Sequence, residues 1–111
     1  MANDRISIAD FAKVELKTAE VLEVEKVEGA DKLLKLQIKV GEENRQIVAG
    51  IAEHYSPEEL VGKKIVVVAN LKPAVIRGVE SNGMLLAVST KDSVILITPE
   101  DTDVPSGLRI S

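Results

Sequence analysis

Apolar and polar residues alternate most regularly at positions 34–40, where Leu, Ile or Val occupies every second place and Lys or Gln stands between them. A period of two predicts a strand with one buried and one exposed face. Residues 14–27 also alternate, but the phase changes after Thr18 and returns after Val21, which is typical of a bulge or a sharp bend. A third segment, 46–51, follows a Gly-Glu-Glu-Asn turn and predicts a hairpin with the second. A long, bent first strand is what a small closed barrel requires.

Two further segments, 65–69 and 84–88, are apolar on both faces. Short continuous runs of this kind predict strands covered on both sides, at about 63–70 and 83–88. The connection between them is polar and predicts a binding loop on a rigid base.

A short helix is predicted between the third and fourth strands. Ser56 is suited to cap it, Pro57 to occupy its first position and Glu59 to complete a capping box, while Gly62 ends it. Three strands, a short helix and two strands match an all-β fold, the five-stranded oligonucleotide/oligosaccharide-binding barrel (OB-fold).

Two apolar segments lie outside this five-stranded barrel. The run 94–97 is predicted to be an extra C-terminal strand that contacts a second copy of the chain, or alternatively packs on its own barrel. Residues 1–12 form a predicted arm that packs through Ile6, Ile8 and Phe11.

Composition narrows the class of protein. A chain of 111 residues predicts a single domain, 1–111. It has no cysteine, no apolar run long enough to cross a bilayer and no signal-peptide core, so we expect a soluble, cytoplasmic protein without a membrane partner. The net charge of −4 argues against a purely electrostatic nucleic-acid binder. The acids are segregated, however, and the loop 71–83 holds two cations and one acid.

The OB-fold binds ligands on strands two and three and on the loops that join strands one to two and four to five. On these elements the sequence places cations, which neutralise phosphates, and amide or hydroxyl groups, which bond to base edges or to the 2′-hydroxyl. For any single lysine, a solvated strand face is the more common explanation, and for Met84 core packing is more common than contact with a base. The joint placement predicts an RNA-binding surface. Its residues are Lys32, Lys35, Arg45, Asn70, Lys72, Arg77, Ser81 and Met84.

The scarcity of aromatic residues narrows the ligand. Only Phe11 and Tyr55 are aromatic, and neither falls on the predicted face, so generic stacking of single-stranded bases is disfavoured. Recognition through phosphates, 2′-hydroxyls and shape favours a folded RNA. His54 is the only histidine and has no evident partner, so we expect a surface residue, no metal, no cofactor and no enzyme activity.

The motifs GADKLLKL, RQIVAGI, VVVANLKP and GVESNGM resemble the tRNA-binding domain found at the C-terminus of many methionyl-tRNA synthetases. The same domain occurs in free-standing tRNA-binding proteins and in the endothelial monocyte-activating polypeptide group. The resemblance implies an OB-fold homodimer that binds tRNA by shape and dimerises through segments near both termini. Val75-Ile76 depart from the pattern, because relatives often carry another lysine there. The implied RNA contacts are Lys32, Arg45, Asn70, Ser81 and Met84.

From this resemblance we expect a non-catalytic module that raises the local tRNA concentration for a methionyl-tRNA synthetase catalytic chain, either as its C-terminal part or as a separate partner. The alternative is a dimeric, secretion-type chaperone on the same fold, which would hold unfolded segments in an apolar groove. The presence of Asn70, Ser81 and Met84 favours the tRNA-binding interpretation.

Overall fold

The computed structural model describes residues 4–111, which form ten strands and two one-turn helices. The helices are α1 (Ile8–Phe11) and α2 (Pro57–Leu60). The strands are β1 (Leu16–Val27), β2 (Ala30–Val40), β3 (Glu43–Ala49), β4 (Lys64–Val68), β5 (Ala74–Ile76), β6 (Val79–Ser81), β7 (Met84–Leu85), β8 (Ala87–Ser89), β9 (Val94–Leu96) and β10 (Arg109–Ile110). Across these described residues, neither helix has the length or the apolar character needed to span a bilayer.

Strand β1 organises the main sheet because it pairs on both edges. Its first half pairs antiparallel with β4 and its second half with β2, giving the order β3-β2-β1-β4-β7. The register against β2 shifts between Val21 and Glu23, whereas the pairing with β4 is regular through Thr18 and Ala19. Of the two predicted phase changes, only the one after Val21 is thus an irregularity in the ladder. The bend at this point lets one strand serve both halves of the sheet.

The ends of the sheet, β3 and β7, approach each other to give a barrel-like form. The amide of Asn82 donates to the carbonyl of Gln46 at 2.7 Å, and the amide of Val48 donates to the hydroxyl of Ser81 at 2.9 Å. These bonds join β3 to the segment just before β7 without a regular ladder. The predicted all-β OB-fold is confirmed, with β7 as its fifth strand.

The core contains the inward residues of the predicted strands. Leu34, Leu36 and Ile38 of β2 are essentially inaccessible, as are Ile65 and Val67 of β4. Burial of each such side chain stabilises the fold by about 1.5–3 kcal/mol.

Helix α2 covers part of this core, as predicted. Leu60 is fully buried, and the amide of Ser56 donates to Glu59 Oε1 at 2.8 Å, as in a capping box. Gly62 has a φ of +87° and donates its amide to the carbonyl of Val21, which returns the chain to the sheet.

Three elements differ from the sequence prediction. The predicted arm contains α1, with the hydroxyl of Ser7 accepting from the amide of Asp10 at 3.0 Å; residues 1–3 of that arm lie outside the described residues. The predicted loop 71–83 contains the β5–β6 hairpin. The predicted strand 83–88 divides, because only β7 pairs with β4 whereas β8 pairs with β9.

The run 94–97 was predicted either to contact a second copy of the chain or to pack on its own barrel, and its structure has features of both arrangements. Leu96 is buried in the core of its own barrel and Val94 packs against it. Ile95 and Ile97 are 51% and 38% exposed, so the outer side of the strand has no cover within the described chain. Contact of that side with a second copy stays a prediction.

The C-terminal segment is bonded to β1 through Thr18. Its hydroxyl donates to the carbonyl of Pro105 at 2.8 Å and accepts from the amide of Leu108 at 3.0 Å. Between these two residues Gly107 has a φ of +84° and touches Gly41 backbone to backbone, such that a Cβ on Gly107 would lie 2.5 Å from the Gly41 Cα.

We expect Gly107→Ala to destabilise the fold more than Gly62→Ala, as measured by urea unfolding. Both positions have φ near +85°, so both substitutions bear a left-handed backbone cost of about 1–2 kcal/mol. Only Gly107→Ala adds a backbone clash, for a further loss of about 1–3 kcal/mol. Equal losses in the two variants would contradict the close Gly41–Gly107 packing.

Candidate nucleic-acid interface

Two turns meet to form a groove at one end of the barrel. The start of β2, just after the β1–β2 turn, contributes Asp31 and Lys32, and the β5–β6 hairpin contributes Ile76 and Arg77. The groove has a volume of about 490 Å³. Within residues 4–111, neither Lys32 nor Arg77 has an ion-pair partner within 4.0 Å. The structure therefore brings together the two cations that the sequence placed on cooperating loops, although Lys32 lies at the start of β2 and not in the turn before it.

The hairpin that carries Arg77 is ordered by a two-residue loop. Its strands pair Val75 with Glu80 and Ile76 with Val79, leaving Arg77 and Gly78 as the loop. These two residues have φ values of +53° and +80°, as a type I′ turn requires. Val75 is 72% exposed on the hairpin.

Ser81 fixes the base of the hairpin. Its side chain is 4% exposed, accepts from the amide of Val48 and donates to the carbonyl of Gly83 at 3.2 Å. Gln46 adds a second connection, because its Nε2 donates to the carbonyl of Glu80 at 2.8 Å. Gln37 donates in turn to Gln46 Oε1 at 2.9 Å.

The supporting role of Gln46 was missed in the sequence. The sequence places Gln46 on the polar side of the third strand, opposite Gln37. Its other partner, Glu80 of the β5–β6 hairpin, lies 34 residues away, so no local pattern indicates that contact.

Arg45 stabilises the junction of β3 and β4 from the inner side of the sheet. Its cross-strand partner is Ile38, whose side chain is buried, and the Arg45 side chain is itself only 17% exposed. Its Nη1 donates to the carbonyl of Ala69, while Nε and Nη2 both lie 2.6 Å from Glu43 Oε1. The guanidinium therefore already has anionic and carbonyl partners.

Asn70 holds the chain between α1 and β1. Its Nδ2 donates to the carbonyl of Lys13 at 2.6 Å, and its Oδ1 accepts from the amide of Glu15 at 2.8 Å. The amide of the preceding residue, Ala69, donates to the carbonyl of Glu15 at 2.7 Å. Both ends of the Asn70 side-chain amide are thus engaged by backbone 55 to 57 residues away.

The lysines on the outer face of β2 lie opposite glutamates of β1. Lys35 pairs across the ladder with Glu25, and its Nζ lies 2.5 Å from the carboxylate. Lys39 likewise pairs with Glu20 in the register. Since opposite charges face each other here, this face carries less net positive charge than the lysines alone predict.

The remaining predicted residues, Lys72 and Met84, are exposed. Lys72 lies on the connection between β4 and β5. Met84 pairs with Val68 in the ladder but is 47% exposed, so the core-packing interpretation of Met84 is wrong.

The eight predicted residues consequently fall into three groups. Exposed side chains are Lys32, Lys72, Arg77 and Met84; bonded supporting residues are Arg45, Asn70 and Ser81; and Lys35 is ion-paired. Lys32 and Ile38, the partner of Arg45, are six residues apart on one strand, which corresponds to about 20 Å. Direct RNA contact by any of these residues stays a prediction. Among residues 4–111 there is no group of three His, Cys, Asp or Glu side chains placed to hold a metal ion.

The antiparallel, barrel-like sheet places the chain in the class of OB-fold domains. Residues 16–109 match the family described as "Putative tRNA binding domain". The chain belongs to this tRNA-binding-domain family.

A curated relative, methionine–tRNA ligase of Caldanaerobacter subterraneus subsp. tengcongensis, is 57% identical over 108 residues, which cover 97% of this chain. The chain spans only 17% of the length of that ligase.

Two solved structures resemble the whole chain. The crystal structure of a MetRS-related protein from Pyrococcus horikoshii has a TM-score of 0.90 and 42% identity, covering 97% of this chain and 99% of that one. The chaperone CsaA from Bacillus anthracis has a TM-score of 0.86 and 30% identity, covering 96% of this chain and 99% of that one.

Ser81→Ala should destabilise the protein by about 1–3 kcal/mol, because it leaves the buried amide of Val48 without its acceptor. Ser89→Ala is a suitable control, since Ser89 is exposed and should change stability by no more than about 0.5 kcal/mol. Urea unfolding measures both. A neutral Ser81→Ala would contradict the supporting role of this hydroxyl.

Proposed function

We propose that the chain is a non-catalytic module that binds tRNA through its ribose–phosphate backbone and its shape. The observation that carries the proposal is the groove between the two loops, where Lys32 and Arg77 lie exposed without ion-pair partners among the described residues. Membership of the tRNA-binding-domain family supports tRNA as the RNA.

The absence of aromatic side chains from this groove supports recognition of the backbone. Its lining consists of Gly29, Ala30, Asp31, Lys32, Leu33, Ile76 and Arg77. Without a ring on which bases can stack, affinity for an unstructured single strand should be low. A folded RNA presents phosphates and 2′-hydroxyls at fixed spacings, which suits cations held on ordered turns.

The partner we propose is a methionyl-tRNA synthetase, either as the rest of a longer chain or as a separate protein. The identity with methionine–tRNA ligases supports this assignment. The module would hold tRNA near the catalytic site and increase its effective concentration there, without a chemical step of its own.

We further propose a homodimer formed through the two terminal segments. Helix α1 and strand β10 enclose an apolar cleft of about 200 Å³ that includes Ile8, Phe11, Val14 and Ile110. Ile8 is 83% exposed and Phe11 43% exposed, and a second copy would cover this apolar surface.

Titration with bulk tRNA at several salt concentrations tests the binding proposal. With about three to five phosphates engaged, log K should fall against log salt with a slope of about −2 to −4. Lys32→Ala should weaken binding to all tRNAs alike and make the slope less steep by about one.

Lys91→Ala is the matched control for this experiment, because Lys91 is an exposed lysine between β8 and β9. It should leave both the affinity and the slope unchanged. A salt-independent affinity, or none for tRNA, would exclude the proposed function.

Phe11→Asp should shift the protein from dimer to monomer, because it places a charge in the proposed interface. Val61→Asp is the control, since Val61 is 52% exposed but lies away from the terminal cleft. Light scattering over a range of protein concentrations gives the mass. A monomeric parent protein, or a dimer unaffected by Phe11→Asp, would rule out this interface.

A chaperone is the second candidate function, favoured by the structural similarity to CsaA and by the exposed apolar cleft. Suppression of aggregation by the protein, together with undetectable tRNA binding, would replace the first proposal with this one. The free cations in the groove favour tRNA.

A further inference from the structure

The tip of the β5–β6 hairpin has an unusual residue for its backbone conformation. Arg77 is the only non-glycine residue among 4–111 with a positive φ, and the first loop position of a type I′ turn favours Asn, Asp or Gly. Any of these would form the same turn with less strain. Strained residues concentrate at functional sites, so the arginine side chain itself requires an explanation.

The hairpin tip holds Arg77 on one side of the groove, while Lys32 lies at the start of β2 on the other side. The two cations outnumber Asp31, the one carboxylate that lines the same groove, so the groove attracts an anion. The volume of about 490 Å³ lies in the range of sites that take small ligands. A single phosphate with its sugar is a suitable occupant.

Asp31 limits which sugar–phosphate unit can bind. It is exposed in the same groove, and no ion-pair partner lies within 4.0 Å of it among the described residues. A carboxylate repels phosphate and only accepts hydrogen bonds. The donor closest to an RNA phosphate is the 2′-hydroxyl of the ribose, which DNA lacks.

We propose that this groove is a ribonucleotide subsite. Lys32 and Arg77 bind one backbone phosphate, and Asp31 accepts a hydrogen bond from the adjacent 2′-hydroxyl. The apolar surface of Ile76 and Leu33 lies beside the sugar. The subsite rests on the proposed tRNA binding, and it assigns to Asp31 the discrimination of RNA from DNA.

The first test separates the effect of the Arg77 charge on tRNA affinity from the effect of its backbone strain on stability. Arg77→Asn keeps the type I′ turn, so its melting temperature should rise or hold, while tRNA affinity should fall by about tenfold and the salt slope should become less steep by about one. Arg77→Lys should retain most of the affinity and the slope. Lys91→Ala again serves as the control for a general loss of positive charge.

The second test concerns Asp31. The probes are an RNA hairpin stem and the DNA hairpin of the same sequence, titrated against the whole chain. The parent protein should prefer RNA, and Asp31→Ala should reduce that preference by about fivefold or more, chiefly by strengthening DNA binding as the repulsive carboxylate is removed. Arg77→Asn should weaken both probes alike.

The outcomes distinguish the subsite from the broader function. If the parent protein binds tRNA but Arg77→Asn and Asp31→Ala leave affinity and RNA preference unchanged, the subsite is wrong and tRNA binds elsewhere on the chain. If Arg77→Asn lowers the melting temperature, the arginine is a structural residue and the strain argument fails. Failure of the parent protein to bind any tRNA would overturn the proposed function itself.

Discussion

The hydrogen bonds between β3 and the segment 80–83 determine the geometry of the candidate site. Strand β7 has only two residues, so a regular ladder cannot close the barrel. The buried hydroxyl of Ser81 and the backbone of Asn82 make the connection instead. A buried hydroxyl that both donates and accepts has little rotational freedom, and its loss would leave a buried amide unsatisfied. The hairpin that ends at this connection is held at its base, and its tip brings Arg77 to the groove beside Lys32.

The polar residues that the sequence assigned to RNA binding have two different roles around this connection. Arg45, Asn70 and Ser81 form hydrogen bonds with the protein's own backbone. Lys32 and Arg77, in contrast, have no ion-pair partner among residues 4–111. Reduced RNA affinity after substitution of a supporting residue would not by itself identify an RNA contact. Only a stability measurement beside the affinity separates the two roles.

Asn70 also connects the proposed dimer surface at the terminal cleft to strand β3. Its bonds to Lys13 and Glu15 hold the segment that follows α1, next to the apolar terminal cleft. On the other side of Asn70, Arg45 of β3 donates a hydrogen bond to the carbonyl of the neighbouring residue, Ala69. Contiguous hydrogen bonds therefore run from the proposed dimer surface to β3.

Local patterns predicted those features whose partners are close in sequence. The alternation in β2, the slip after Val21 and the capping residues of α2 are properties of single segments, and the structure has each of them. The β5–β6 hairpin escaped prediction because an arginine with positive φ gives no turn signal.

The roles of Arg45 and Asn70 depend on tertiary contacts. The inward direction of Arg45 follows from its register against Ile38, and the partners of Asn70 lie at the opposite end of the chain. No local pattern contains that information. The groove contains one cation from each of the two regions that the sequence singled out, but the supporting and exposed side chains could not be told apart. Cooperation of the two regions in RNA binding stays a prediction.

The net charge of −4 is compatible with RNA binding because of where the acids lie. Glutamates of β1 face lysines of β2 across the ladder, which lowers the net positive charge of that face, and Lys32 and Arg77 line the groove without ion-pair partners among residues 4–111. On the proposed function, a phosphate chain would be attracted at the groove and would gain little along the strands or from the acidic C-terminal segment. Such an arrangement would give up total affinity in return for orientation, because only an RNA whose fold presents its backbone at the groove would gain the full interaction. The proposed module would therefore select a nucleic acid by its shape more than by its charge.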